Sequence, residues 1–94
     1  YAADANKRLV DIVNVLAMHD FQIARYYHAR GAHVAAVNRA KQVLETYQTS
    51  SAVEHALAVM IKAYKEMGLV ELGHDAERVL RLNYPDSRYL TENY

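Results

Sequence analysis

The segment IARYYHARGAHVAA, at residues 23–36, has a counterpart 37 positions later in MIKAYKEMGLVELG, at residues 60–73. In both segments a tyrosine precedes a glycine by four positions, and a small residue follows that glycine by five positions. The same shift aligns Val43 with Leu80 and Tyr47 with Tyr84. The sequence therefore contains two copies of one unit, which determines the fold.

Each copy reads as two helices joined by a tight turn. Apolar residues recur every three or four positions, the spacing of a helix that buries one face. Gly31 and Gly68 are predicted to end helices, because glycine adopts the positive φ of a helix C-terminus at little cost. Small residues at Ala36 and Gly73 allow two helix backbones to approach closely. We predict an all-α fold with helices at about residues 2–30, 33–47, 52–67 and 70–83.

The leading helix is expected to be long, because neither glycine nor proline occurs before Gly31. Asp20 interrupts its apolar spacing, so two helices that break near His19 and Asp20 are the alternative. Without a stronger breaker the sequence favours one continuous helix. Its predicted buried stripe consists of Leu9, Val13, Leu16, Ile23 and Tyr27.

Two further expectations concern the second copy. Ser51 and Glu54 have the spacing of a capping box at the start of the third helix. The buried face of the fourth helix is predicted to contain Leu72, Ala76, Val79, Leu80 and Asn83. Because one such unit cannot bury its apolar face alone, we expect residues 1–94 to be a single helical part of a longer solenoid.

Composition disfavours several classes of function. The 11 basic and 11 acidic side chains give no net charge, whereas nucleic-acid binding needs a basic excess. No apolar run approaches the ~20 residues of a membrane-spanning helix. The chain has no cysteine, and its five histidines lack the spacing of metal ligands. No nucleophile or phosphate-loop motif is present, so we expect neither an enzyme nor a cofactor.

Three residues are candidates for partner binding. Arg30 and Arg39 align with Met67 and Ala76, so the packing of the repeat does not require an arginine at either position. A guanidinium group can hold a carboxylate through two hydrogen bonds. The alternative for Arg30 is a purely structural role, because a cation at the C-terminal end of a helix interacts favourably with the helix dipole. Tyr26 lies outside the register of the repeated tyrosines, and exposed tyrosines often anchor interfaces. We expect Arg39 to contribute more to binding than Arg30.

The helix–turn–helix unit resembles the tetratricopeptide repeat, whose period is near 34 residues. Particular runs resemble the C-terminal repeats of the BamD family, tetratricopeptide lipoproteins of the bacterial outer-membrane β-barrel assembly machine. These runs are Arg25-Tyr26-Tyr27, Arg30-Gly31-Ala32, Val34-Ala35, Asn38-Arg39, Ala52-Val53-Glu54, Ala56-Leu57, Ala63-Tyr64 and Leu82-Asn83-Tyr84-Pro85.

The resemblance implies a protein at the periplasmic face of the outer membrane, held by a lipidated cysteine outside this chain. It also implies docking on BamA, through the POTRA domain nearest the barrel, with Arg30 and Arg39 at the docking surface. Contact with the other lipoproteins of the machine is left open. The alternative is a tetratricopeptide adaptor that binds peptides. Its basic clamp is not evident, because Asn38, Lys41 and Lys62 do not recur after the 37-residue shift.

Overall fold

The computed structural model describes residues 2–91, so Tyr1 and residues 92–94 of the predicted unit lie outside the described range. Within residues 2–91 the chain forms helices without strands, which confirms the predicted all-α class. The helices are α1 (Ala2–Ala29), α2 (His33–Thr46), α3 (Ala52–Glu66), α4 (Val70–Asn83) and α5 (Arg88–Thr91).

The helices form two layers joined by short turns. Each of the first four helices packs against the next one along the chain, and α1 also packs against α3. Helices α1 and α3 therefore form one layer, while α2 and α4 cover it from the other side. The assembly is elongated, with extents of 50 × 27 × 20 Å. This is the layered arrangement of tetratricopeptide-like repeats.

Both glycine turns have the predicted geometry. Gly31 has a φ of 79° and Gly68 a φ of 74°, in the left-handed region that favours glycine. In each turn, the backbone N–H of the residue after the glycine donates to the carbonyl of Tyr27 or Tyr64, at 2.9 Å. These bonds satisfy carbonyl groups that the ends of α1 and α3 would otherwise leave unpaired.

A second turn also recurs after 37 positions, at Ser50 and Ser87. The buried Ser50 hydroxyl accepts a hydrogen bond from the amide of Ala52 at 3.1 Å, and Ser87 accepts one from Tyr89 at 3.2 Å. Helix α5 thus begins in the same way as α3.

The predicted capping box at the start of α3 is wrong. Ser51 makes no side-chain capping hydrogen bond, because its φ of −61° and ψ of −18° are already helical. A capping side chain reaches the first turn from an extended backbone. The preceding residue, Ser50, supplies the side-chain hydrogen bond instead.

Helix α1 is unbroken from Ala2 to Ala29, which confirms the favoured continuous helix and rules out a cap at Asp20. Its predicted buried stripe is largely wrong, since Leu9 and Leu16 are 60% and 48% exposed. Among the side chains of α1 that the structure describes, those of Ala17, Phe21 and Ala24 are buried.

The length of α1 explains this difference. Helix α1 has 28 residues, whereas α2 has 14 and α3 has 15. Its neighbours therefore cover only the C-terminal half of α1. Sequence spacing identifies a face of a helix, but it does not show how far along the helix that face is covered.

Helix α4 buries a narrower face than predicted. Ala76 and Leu80 are buried as expected, whereas Leu72, Val79 and Asn83 are exposed. Within the described range α4 packs mainly on α3, so only one side of it is covered. The apolar side chains on the uncovered side of α4 therefore remain exposed.

Candidate functional site

Two of the three candidate residues lie together at the C-terminal end of α1. The guanidinium carbon of Arg30 lies 4.7 Å from the centre of the Tyr26 ring, within the range of a cation–π contact. Tyr26 is 54% exposed, and its ring also meets the edge of the Tyr27 ring at a centroid distance of 5.8 Å. The Gly31 turn follows directly. Tyr26 and Arg30 thus form an exposed aromatic–cationic pair, named here the Tyr26–Arg30 pair.

Arg39 lies on α2 and has a different environment. Its Nη1 atom is 3.7 Å from Oδ1 of Asp20 on α1, and the two side chains are 35% and 19% exposed. Arg39 also lines a shallow depression with Tyr27 and Asn38, to which the Tyr26–Arg30 pair does not contribute. Arg39 therefore already has an intramolecular partner before any other protein binds.

The ion pair between Asp20 and Arg39 occupies two positions that are apolar in the second repeat. Asp20 aligns with Leu57 and Arg39 aligns with Ala76, and both of these aligned residues are buried. The sequence showed an interrupted stripe and an unneeded arginine as separate features. The structure brings the two side chains together as an ion pair, so we expect the two differences to compensate each other.

We expect this compensation to appear in a double-mutant cycle. Arg39→Ala should lower the free energy of unfolding by about 0.5–1 kcal/mol, because it leaves the half-buried Asp20 carboxylate without its cation. Asp20→Leu combined with Arg39→Ala should restore or exceed the original stability, as in the second repeat. Urea unfolding followed by circular dichroism measures each value.

The control for this cycle is Arg78→Ala. Arg78 lies 3.2 Å from Asp75, but both of these side chains are more than 60% exposed, so its removal should change stability by less than about 0.5 kcal/mol. If the effects of the Asp20 and Arg39 substitutions simply add, the two residues are not coupled.

A histidine pair spans the Gly31 turn. Nδ1 of His28 lies 3.2 Å from Nδ1 of His33, so one ring donates and the other accepts. The pKa of His28 is lowered, first by burial and then by His33 and Lys62, while Glu66 acts in the opposite direction. This arrangement favours a neutral imidazole at His28.

Among residues 2–91, no three His, Asp or Glu side chains converge as potential metal ligands. No described helix combines the length and apolar character needed to cross a bilayer. The candidate binding features among the described residues are therefore the exposed side chains on the helices and the depressions between the helices.

Comparison with known proteins identifies the family. Residues 1–82 match the family described as YfiO, outer membrane lipoprotein. The chain is 45% identical over 91 residues to the outer membrane protein assembly factor BamD of Neisseria gonorrhoeae, covering 97% of this chain and 34% of that protein. BamD of Xylella fastidiosa is 39% identical over 90 residues, covering 96% of this chain and 31% of that protein.

BamD of Vibrio cholerae is 32% identical over 83 residues, covering 88% of this chain and 34% of that protein. The chain thus spans about a third of the length of the curated relatives it matches. The family match confirms the predicted family and the predicted outer-membrane location. The chain belongs to the YfiO family of outer membrane lipoproteins, whose named relatives are BamD assembly factors.

Proposed function

We propose that this chain is the part of a BamD-type assembly factor that docks on BamA, through the POTRA domain nearest the barrel. The docking takes place at the periplasmic face of the outer membrane and supports insertion of β-barrel proteins. Family membership and the names of the relatives support this role. An assembly role of this kind requires no catalytic group.

The observation that carries the proposal is the exposed Tyr26–Arg30 pair. Contact with the Tyr26 ring restricts the Arg30 side chain, so less conformational entropy is lost when a partner binds. The planar guanidinium group can then donate two N–H hydrogen bonds to a carboxylate of the partner. Tyrosine and arginine are also enriched among residues that dominate binding energy.

The absence of net charge supports a local mode of recognition. A chain with 11 basic and 11 acidic side chains has no excess charge to attract a partner from a distance. Affinity must then come from specific contacts rather than from a general field. The Tyr26–Arg30 pair provides an apolar surface and a fixed positive charge in one place.

Arg39 has a secondary role in this proposal. A carboxylate of the partner has to compete with Asp20, which lies 3.7 Å from Arg39. We therefore expect Arg30→Ala to weaken docking more than Arg39→Ala does. This order is the reverse of the one predicted from the sequence.

Binding of the purified BamA POTRA region to immobilised variants tests the proposal. Arg30→Ala should raise the Kd at least about 10-fold, equivalent to ~1.4 kcal/mol. Tyr26→Ala should have a similar effect, because it removes both a contact and the support of Arg30. Arg30→Lys should recover little affinity, since lysine keeps the charge but loses the planar fork.

The matched control is Arg81→Ala on α4. Arg81 is exposed and is bound to Glu77 of the same helix at 2.7 Å, so it should not affect docking. Equal weakening by Arg81→Ala and Arg30→Ala, or no effect of Arg30→Ala, would place the docking surface elsewhere. Circular dichroism spectra should coincide for all variants, because each of these side chains is exposed.

A further inference from the structure

A hydrogen bond between two imidazole rings closes the Gly31 turn. His28 lies in the last turn of α1 and His33 is the first residue of α2, and their Nδ1 atoms are 3.2 Å apart. The two rings are tilted by 53° with centroids 5.2 Å apart, and both side chains are half-buried. This contact therefore joins the end of α1 to the start of α2 directly across the turn.

The second repeat shows that a turn of this kind does not need the histidine pair. The residue that aligns with His33 after the 37-residue shift is Val70, whose side chain has no polar atom. The turn at Gly68 nevertheless has the same positive φ as the turn of the first repeat, and the same backbone hydrogen bond of 2.9 Å. The histidine pair is therefore additional to what the fold requires.

The bond between the two rings depends on their protonation. Imidazole is the side chain that ordinarily changes its charge between pH 5 and 8. While at least one ring is neutral, an Nδ1–H of one ring can donate to Nδ1 of the other. When both rings are protonated, neither Nδ1 can accept, and two positive charges lie close together. The second proton therefore breaks the bond and makes the two rings repel each other.

His28 faces charged or titratable groups from its own helix and from three others. His33 on α2 and Lys62 on α3 lower its pKa, whereas Glu66 on α3 raises it. Burial lowers this pKa more than any of these charges does. Four further groups line the depression between α1, α3 and α5 that His28 also lines: Arg25, His55, Arg88 and Tyr89.

The direction of the pH effect follows from the lowered pKa of His28. When the turn opens, water reaches this ring and its pKa returns toward the ordinary value of about 6.5. The open turn therefore binds a proton more readily than the closed turn, so protonation favours opening. The closed turn is most stable above about pH 6.5 and loses this stability as the pH falls through the lowered pKa of His28.

The same turn positions the Tyr26–Arg30 pair. The amide of Arg30 donates to the carbonyl of Tyr26 at 3.3 Å. The amide of Gly31 donates to the carbonyl of His28 at 3.0 Å. Arg30 thus belongs to the hydrogen-bonded turn that the histidine pair closes. Opening of this turn would move the Arg30 guanidinium away from the Tyr26 ring.

We propose that His28 and His33 form a proton-sensitive latch on the Gly31 turn. The latch holds the turn closed at neutral pH, and protonation of both rings in mild acid opens the turn and loosens the Tyr26–Arg30 pair. Its effect on docking rests on the proposed function, because that effect requires the Tyr26–Arg30 pair to contact BamA. The opening of the turn can be measured on this chain alone.

Amide hydrogen exchange followed by NMR at about pH 7 and about pH 5 tests the latch, because imidazole titrates in this range. The probe is the amide of Ala32, which bonds to Tyr27 across the Gly31 turn at 2.9 Å. The amide of Leu69 makes a bond of the same length in the Gly68 turn and is the internal control. After correction for intrinsic exchange, protection of Ala32 relative to Leu69 should fall about fivefold in acid, the size of one like-charge repulsion in water. An unchanged ratio overturns the proposal.

Variants at His33 assign the effect to the histidine pair. In His33→Gln the side chain stays polar but takes up no proton in this range, so the fall should shrink to less than about twofold. His33→Val installs the residue of the second repeat and should behave in the same way, with circular dichroism as the check on folding. The control is His74→Gln, which removes an exposed histidine from α4 and should keep the fivefold fall. A fall that persists in both His33 variants, or disappears in His74→Gln, overturns the latch.

Binding of the purified BamA POTRA region at the same two pH values tests the consequence for docking. The Kd of the unchanged chain should rise about fivefold in acid, whereas that of His33→Gln should rise less than about twofold. Titration of the POTRA region itself affects both proteins equally, so the difference between them reports the latch. Equal pH dependence of the two Kd values overturns the link to docking. If the POTRA region binds at neither pH while the amide effect is present, the proposed function is wrong and the latch stands.

Discussion

Replacing Leu57 with alanine is expected to lower the free energy of unfolding by about 2–5 kcal/mol. Leu57 is only 1% exposed and lies on α3, which packs against α1, α2 and α4. Truncation at this position removes contacts and leaves a cavity shared by both repeats. Small domains are stable by only about 5–15 kcal/mol, so a large part of the stability would be lost. Urea unfolding followed by circular dichroism measures the change.

Leu82→Ala provides the matched control for Leu57→Ala. It is the same chemical change on a neighbouring helix, but Leu82 is 75% exposed. Its effect should stay within about 0.5 kcal/mol. Comparable losses for the two variants would mean that the core does not centre on α3.

Phe21→Ala is expected to cost about 3–5 kcal/mol and to release α1 from α3. Phe21 is the only large side chain among the buried residues of α1 that the structure describes, since Ala17 and Ala24 are the others. Hydrogen exchange should therefore speed up in residues 17–29 while α3 and α4 remain protected. Mass spectrometry of the exchanging chain can resolve these segments.

Phe21→Leu separates loss of volume from loss of the aromatic ring. Leucine fills much of the same space, so this variant should cost less than about 1.5 kcal/mol. It should also keep α1 protected from exchange. If Phe21→Ala instead accelerates exchange equally in all the described helices, then α1 and the rest of the chain unfold as one unit.

The features that could be predicted from sequence are those set by local chemistry. Gly31 and Gly68 end their helices because the required positive φ strains every residue with a Cβ atom. The helix type follows from apolar spacing, which any segment of about 15 residues reveals. For the same reason, the absence of glycine and proline before Gly31 was enough to predict the continuity of α1.

The features that could not be predicted depend on which parts of the chain meet. Leu9 is exposed because α2 is too short to cover it. The apolar spacing within α1 carries no information about the length of α2. The ion pair of Asp20 with Arg39 could not be predicted without knowing that α1 and α2 bring these two positions together. At the start of α3, Ser50 and Ser51 are the same residue type, and only the backbone conformation distinguishes them.

The depression lined by Arg25, Lys62 and Arg88 is an intermediate case. The alignment of Arg25 with Lys62 was available in the sequence and could have been found by comparing charge instead of residue identity. A comparison of charges could not have identified Arg88 and Tyr89 as lining residues of this depression. Their position there depends on the turn at Ser87. A repeat thus predicts the charges that recur but not the residues that complete a site.

The uninterrupted length of α1 has a mechanical consequence. A helix of 28 residues with no internal glycine or proline has no kink-forming residue, so it transmits force as a rod. Ala3 lies about 27 Å along the axis from Phe21, and a tilt of about 10° at Phe21 would displace Ala3 by about 5 Å. Phe21 packs on the His55 ring of α3, with ring centroids 5.4 Å apart. Any tilt of α1 about this contact is therefore enlarged at the distant end of the helix.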